Sequence, residues 1–119
     1  MGTPATDLQK SSPDAELTAA DSEALGVLSA INQHEIDVAR QAQQHTLPPA
    51  VSGYAEMMIK DHADNQNQIQ SIGTPGDSEA MRAQKAKGQA DLAALGEHQQ
   101  DYAKAYCMRT RLASVPRGL

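Results

Sequence analysis

The chain has 119 residues, 39% of them hydrophobic and 3% aromatic, with no Phe or Trp and a formal net charge of -5. That length allows one domain, and a core built largely of alanine buries little area per residue, so at ~25 cal/mol per Å² the stability margin is thin. The absence of a basic patch with interleaved aromatics argues against nucleic-acid binding, no apolar run approaches the ~20 residues that span a membrane, and the single cysteine, Cys107, lacks a partner for a disulfide or a zinc motif.

Residues 1–13 are polar and carry Pro4 and Pro13, the composition of a flexible N-terminal arm. Met1-Gly2-Thr3 is either a native start or the start left by a removed leader, and no signal peptide is visible. Residues 14–115 read as one helical domain and 116–119 as a tail. Ser12 or Asp14 can cap a turn leading into Leu17. Asp21-Ser22-Glu23 is a stronger start, a cap residue followed by an acid that the helix dipole favours.

The first helix then runs from Ser22 to about His45, with Gly26 marking a kink or a close helix contact. Pro48-Pro49 ends it and opens the second, from about Ala50 to Ile72. Gly73-Thr74-Pro75-Gly76 is a break. Asp77 or Ser78 starts a third helix, poor in apolar residues and interrupted by Gly88, that reaches about Leu95. A fourth follows Gly96, with Leu95, His98, Tyr102, Ala105, Arg109 and Leu112 at three-four spacing, until Pro116 and Gly118 end it. Four amphipathic segments with short breaks and no strand pattern predict an all-α, up-down four-helix bundle whose fourth helix is short or frayed.

Two stripes carry the chemistry. Leu28, Ile31, Glu35, Val38 and Ala42 lie on one face of the first helix; Val51, Ala55, Met58, His62, Asn65, Ile69 and Ile72 lie on one face of the second. Each is apolar except near its middle. Counted from the turn at Pro48, Glu35 and His62 both sit ~20 Å along their helices and are expected to face each other. Asp61 precedes His62 and is a possible outer ligand. His34 flanks Glu35 and points to another face. A carboxylate and an imidazole on facing helices suit a zinc, iron or manganese ion. The same pair also reads as a hydrogen-bonded lock on helix register, or as a solvated pair at the seam's edge.

A di-iron centre needs Glu-x-x-His on two helices. Glu56 is followed three residues later by Ile59 and Glu97 by Gln100, so a complete ferroxidase centre is rejected. His98 and Tyr102 read as packing residues with polar tips, and Met57 and Met58 as core filler. His45 reads as a cation at a helix end. Cys107 has no base implied beside it, and Arg109, Arg111 and Arg117 are too few to define a partner. No serine triad and no phosphate loop is present.

The run Ile31-Asn32-Gln33-His34-Glu35-Ile36-Asp37-Val38-Ala39 followed by Ala42-Gln43, then Val51 to Met58 and Lys60-Asp61-His62, resembles a bacterial family known as domain of unknown function 4142. Its A-x-x-M-x-x-D-H pattern is met by Ala55, Met58, Asp61 and His62, and its aromatic-x-x-x-Tyr by Tyr102 and Tyr106; the likeness covers about residues 20–106. Family members commonly carry a second histidine about two turns after that tyrosine, where this chain has Ser114. The resemblance implies a ferritin-like bundle in the periplasm or outer envelope and supplies no activity. The expectation is therefore a periplasmic or secreted helical protein that binds a partner or a metal ion at Glu35 and His62 with Asp61. A metal-dependent oxidoreductase or stress-related enzyme, and a secreted effector, are the alternatives, the missing Glu-x-x-His motifs favouring the non-enzymatic reading. A short last helix leaves apolar surface on the first hairpin, which a homodimer or helix exchange would cover.

Overall fold

The computed structural model describes residues 17–110. The expected arm over 1–13, its cap at Ser12 or Asp14 and the tail over 116–119 lie outside the described residues. Those described form four helices and no strand: α1 (Ala19–Gln43), α2 (Pro49–Ile72), α3 (Glu79–Gly96) and α4 (Tyr102–Thr110). The fold is a small all-α bundle with a short fourth helix.

Local chemistry sets each start. α1 begins earlier than Ser22: the Thr18 hydroxyl accepts from the Asp21 N–H at 3.0 Å while the Asp21 carboxylate accepts from the Thr18 N–H at 3.3 Å. Asp21, expected as the cap, is instead the acid of a capping box, because this arrangement satisfies two orphan donors where a lone cap satisfies one. Pro49 occupies the first position of α2, where its missing N–H costs nothing. Ser78, not Asp77, caps α3, accepting from the Met81 N–H at 3.0 Å.

The largest departure concerns α4. The expected stripe from Leu95 through His98 is broken, since Leu95 is a buried residue of α3 and residues 97–101 form an irregular connection in which His98 lies 3.0 Å from Asp101. Three-four spacing across Gly96 spans two helices instead of marking one.

Hydrogen bonds fix the directions. Gln43 donates to the Ser52 carbonyl and Gln66 to the Ser29 carbonyl, so α2 runs antiparallel to α1. Gly76 N–H donates to the Ser22 carbonyl at 2.7 Å and Gln41 to the Leu92 carbonyl at 3.0 Å, so α3 runs parallel to α1. Tyr102 donates to Gln41 at 2.6 Å and Arg109 reaches Glu35, so α4 descends again. α1 is central: α2 and α3 pack on different flanks of it and hardly touch each other.

Gly26 marks a close contact, as expected, but with a loop. A Cβ there would overlap the Gly76 carbonyl oxygen. The 73–78 connection thus lies against α1 and is tied by the Ser22 hydroxyl, which donates to the Thr74 carbonyl at 2.8 Å.

The core gathers at the α4 end: Val38, Ala39 and Ala42 of α1, Val51 and Ala55 of α2, Leu95 of α3, and Tyr102 and Tyr106 of α4. With so much alanine, the two tyrosines fill the volume. Tyr102 stacks on His45 at 3.8 Å between ring centroids and 7° between planes. His45 is therefore a packing partner, beyond the helix-end cation it was expected to be. The nine residues of α4 rise about 13 Å against about 37 Å for the 25 of α1, so among the described residues α4 covers the α1 stripe at Val38 and Ala42 and reaches Glu35 through Arg109.

Candidate functional site

The chemistry that the fold assembles lies where α1, α3 and the end of α4 meet. His34 points from α1 towards α3, where a Cβ on Gly88 would sit 2.9 Å from its Nδ1 and 3.0 Å from its Cγ. Gly88 thus costs about 1 kcal/mol of helix propensity and makes the space that the imidazole fills. Asp91, nearly one turn further along α3, lies with Oδ2 2.8 Å from His34 Nε2.

Arg109 closes the cluster from α4. Its Nε donates to Asp91 Oδ2 at 2.7 Å, its Nη2 lies 2.8 Å from His34 Nε2, and the same Nη2 donates to Glu35 Oε2 at 3.4 Å. One guanidinium therefore ties α4 to two neighbouring helices, and one cation faces two carboxylates. Burial alone would raise the Asp91 pKa, but the hydrogen bonds from Arg109 and His34 outweigh it and hold this carboxyl below its ordinary value. Burial pulls Arg109 down, and its contacts with Asp91 and Glu35 more than reverse that. The cluster lines an open cleft of about 440 Å³ that Gln84 and Lys87 border.

Nearby, burial pushes the Tyr102 hydroxyl up to about 12 against a small opposing pull from Arg109. Burial pushes Tyr106 further in the same direction, with Tyr54, Tyr102 and Glu35 adding to it. Burial also raises the Cys107 thiol, which lowers its thiolate fraction and makes it a poor nucleophile.

The three residues expected to form the site are not brought together. Glu35 is held by Arg109. His62 turns along its own helix, Nδ1 lying 3.0 Å from the Met58 carbonyl. Asp61 is exposed. Helix register places Glu35 and His62 at nearly the same level, yet no hydrogen bond or ion pair joins them. Among the described residues, no group of three or more His, Cys, Asp or Glu side chains is placed to hold a metal ion. Glu35 pairs with a cation that spacing along the first hairpin could not reveal. A signal existed: Glu35 interrupts the apolar stripe of α1 and Arg109 follows Tyr102 and Ala105 on one face of α4, and two such charges of opposite sign satisfy each other. Asp91 and His34 carried a weaker one, the glycine in mid-helix three residues before Asp91. Of the methionines, Met58 packs against the core, while Met57 is exposed.

No curated protein and no solved structure matches the chain. The model of one family, described as Domain of unknown function (DUF4142), matches residues 6–113. The helical hairpin with Glu35, Asp61 and His62 and the Tyr102–Tyr106 pair on α4 lie within that span, and the chain belongs to the DUF4142 family.

Proposed function

We propose that this protein works by contact and not by catalysis, as a ferritin-like helical protein of the bacterial periplasm or outer envelope, and that its contact surface is the uncovered half of the α1 stripe. The observation that carries this is a contrast along one helix face. Val38 and Ala42, beneath α4, are 1% and 0% exposed, while Leu28 and Ile31, on the same stripe beyond the end of α4, are 50% and 38% exposed. Ile72 of the neighbouring α2 is also 50% exposed. Leaving half of such a side chain in water forgoes about 1 kcal/mol each, and clustered exposed apolar surface marks an interaction site.

The occupant is a second copy of the chain. Leu28 and Ile31 continue the three-four spacing of Val38 and Ala42 on the same helix face, so a helix fits there as α4 does beside Val38. Its centre carries no charge, so the same patch on another copy is chemically complementary to it, as a two-fold interface requires. The envelope location rests on the family resemblance and is tested by cell fractionation. A metal ion at Glu35 would compete with Arg109 for that carboxylate, which favours the contact reading over the metal reading of Glu35 and His62 with Asp61.

Light scattering on the full chain tests the contact. The expected result is a dimer that Leu28→Glu/Ile31→Glu converts to a folded monomer. A wild-type monomer at high protein concentration, or a dimer indifferent to both substitutions, overturns the proposal.

A further inference from the structure

His34 Nε2 has two claimants of opposite kind. Asp91 Oδ2 on α3 and Arg109 Nη2 on α4 each lie 2.8 Å from it. A carboxylate requires a proton on that nitrogen; a guanidinium N–H requires a lone pair. One nitrogen cannot serve both. We infer that His34 is a two-position catch for α4: without a proton on Nε2 it binds Arg109, and with one it binds Asp91 and lets the Arg109 Nη2 go.

In both states Nε2, Asp91 and Arg109 are paired by groups already in place. In the first, Nδ1 carries the imidazole proton, Nε2 accepts from Arg109 Nη2, and Asp91 Oδ2 is served by Arg109 Nε at 2.7 Å. In the second, a proton taken from water makes the imidazolium, Nε2–H donates to Asp91 Oδ2, and Arg109 Nη2 turns to Glu35 Oε2, 3.4 Å away. Like charges and facing donors then separate His34 from Arg109. Arg109 keeps two anchors of three, and the end of α4 is held less tightly.

The groups facing His34 set the balance. From α1 these are Glu35 and Asp37, from α3 Asp91 with Lys85 and Lys87, and from α4 Arg109. α2 contributes no residue to either cleft that His34 lines. The ring has little freedom to avoid the choice, being 12% exposed and pressed against Gly88. The inference stands on these contacts and does not depend on the dimer.

Amide hydrogen exchange on the full chain tests it, with protection corrected for the intrinsic rate at each pH. As the imidazole takes up its second proton, followed by its own nitrogen chemical shifts, protection at Tyr106 to Thr110 should fall about fivefold, the worth of one net hydrogen bond. Amides in the middle of α2 should not change. His34→Gln can still accept from Arg109 but cannot take up a proton, and should abolish the pH dependence. Nitrogen chemical shifts of the wild-type imidazole, which need no variant, should show the proton on Nδ1 and an unprotonated Nε2 above the titration. Unchanged or greater protection in acid, the same loss in His34→Gln, or a proton on Nε2 above the titration overturns the inference.

Discussion

Arg109→Met separates a structural clasp from a surface ion pair. Met keeps much of the apolar stem that Arg packs against its neighbours and removes the guanidinium with its bonds to Asp91, His34 and Glu35. Breaking a fully buried pair costs about 3–5 kcal/mol, and an exposed one about 0–1 kcal/mol. Here the side chains lie between these limits, 20% exposed for Arg109, 24% for Glu35 and 38% for Asp91. The short bond to Asp91 is the strongest contact, the His34 contact is worth about 1 kcal/mol, and the long one to Glu35 adds little. Asp91 can turn to water once freed, which limits its penalty. The expected loss is about 2 kcal/mol, or about 10 °C in melting temperature for a domain of this size. Urea unfolding followed by circular dichroism at neutral pH measures it.

The same variant carries a pH signature. The folded-state pKa of Asp91 is lowered, so its stabilisation is complete above its unfolded value of 3.8 and is lost as pH falls through the folded value. The gap between wild type and Arg109→Met should therefore narrow below about pH 4. A neutral-pH loss under about 0.5 kcal/mol, the range of ordinary surface substitutions, would refute the view that Arg109 clasps three helices.

Two further predictions concern the backbone and the tyrosines. Gly26→Ala drives a methyl into the Gly76 carbonyl and should destabilise by about 1–3 kcal/mol despite better helix propensity. Gly53→Ala, where nothing lies within 4 Å of the new atom, should stabilise by up to about 1 kcal/mol; equal effects in urea titrations would count against the strap packed on α1. Tyr102 and Tyr106 ionise later in the folded state than at their ordinary value of 10, so their contribution is intact below pH 10 and is lost as pH rises through their folded values. Absorbance near 295 nm should show Tyr102 and Tyr106 ionising together with unfolding; their ionisation near pH 10 without loss of helix would disprove their burial.

The helices themselves were written locally. Pro48-Pro49, the Gly73–Gly76 break and the serine before Glu79 act on their own neighbours through φ restriction and capping, so they could be read from the chain. Asp21 was misjudged by one element of the same chemistry, since a capping box needs both Thr18 and Asp21 to be seen together. The stripe on α1 was legible too, because helix period is a property of the segment. Which part of that stripe α4 covers was not: it depends on α4 beginning at Tyr102 and meeting Glu35 through Arg109, and so on where a separate helix lies in space. The partners of Glu35 and His34 are separated from them in sequence by 74 or 75 residues for Arg109 and 57 for Asp91. Periodicity specifies the face a side chain presents and marks Glu35 and Arg109 as anomalies, but it does not place the two helices side by side. Only the tertiary packing, with a glycine at 88 opening the way for His34, decided that Glu35 answers to Arg109.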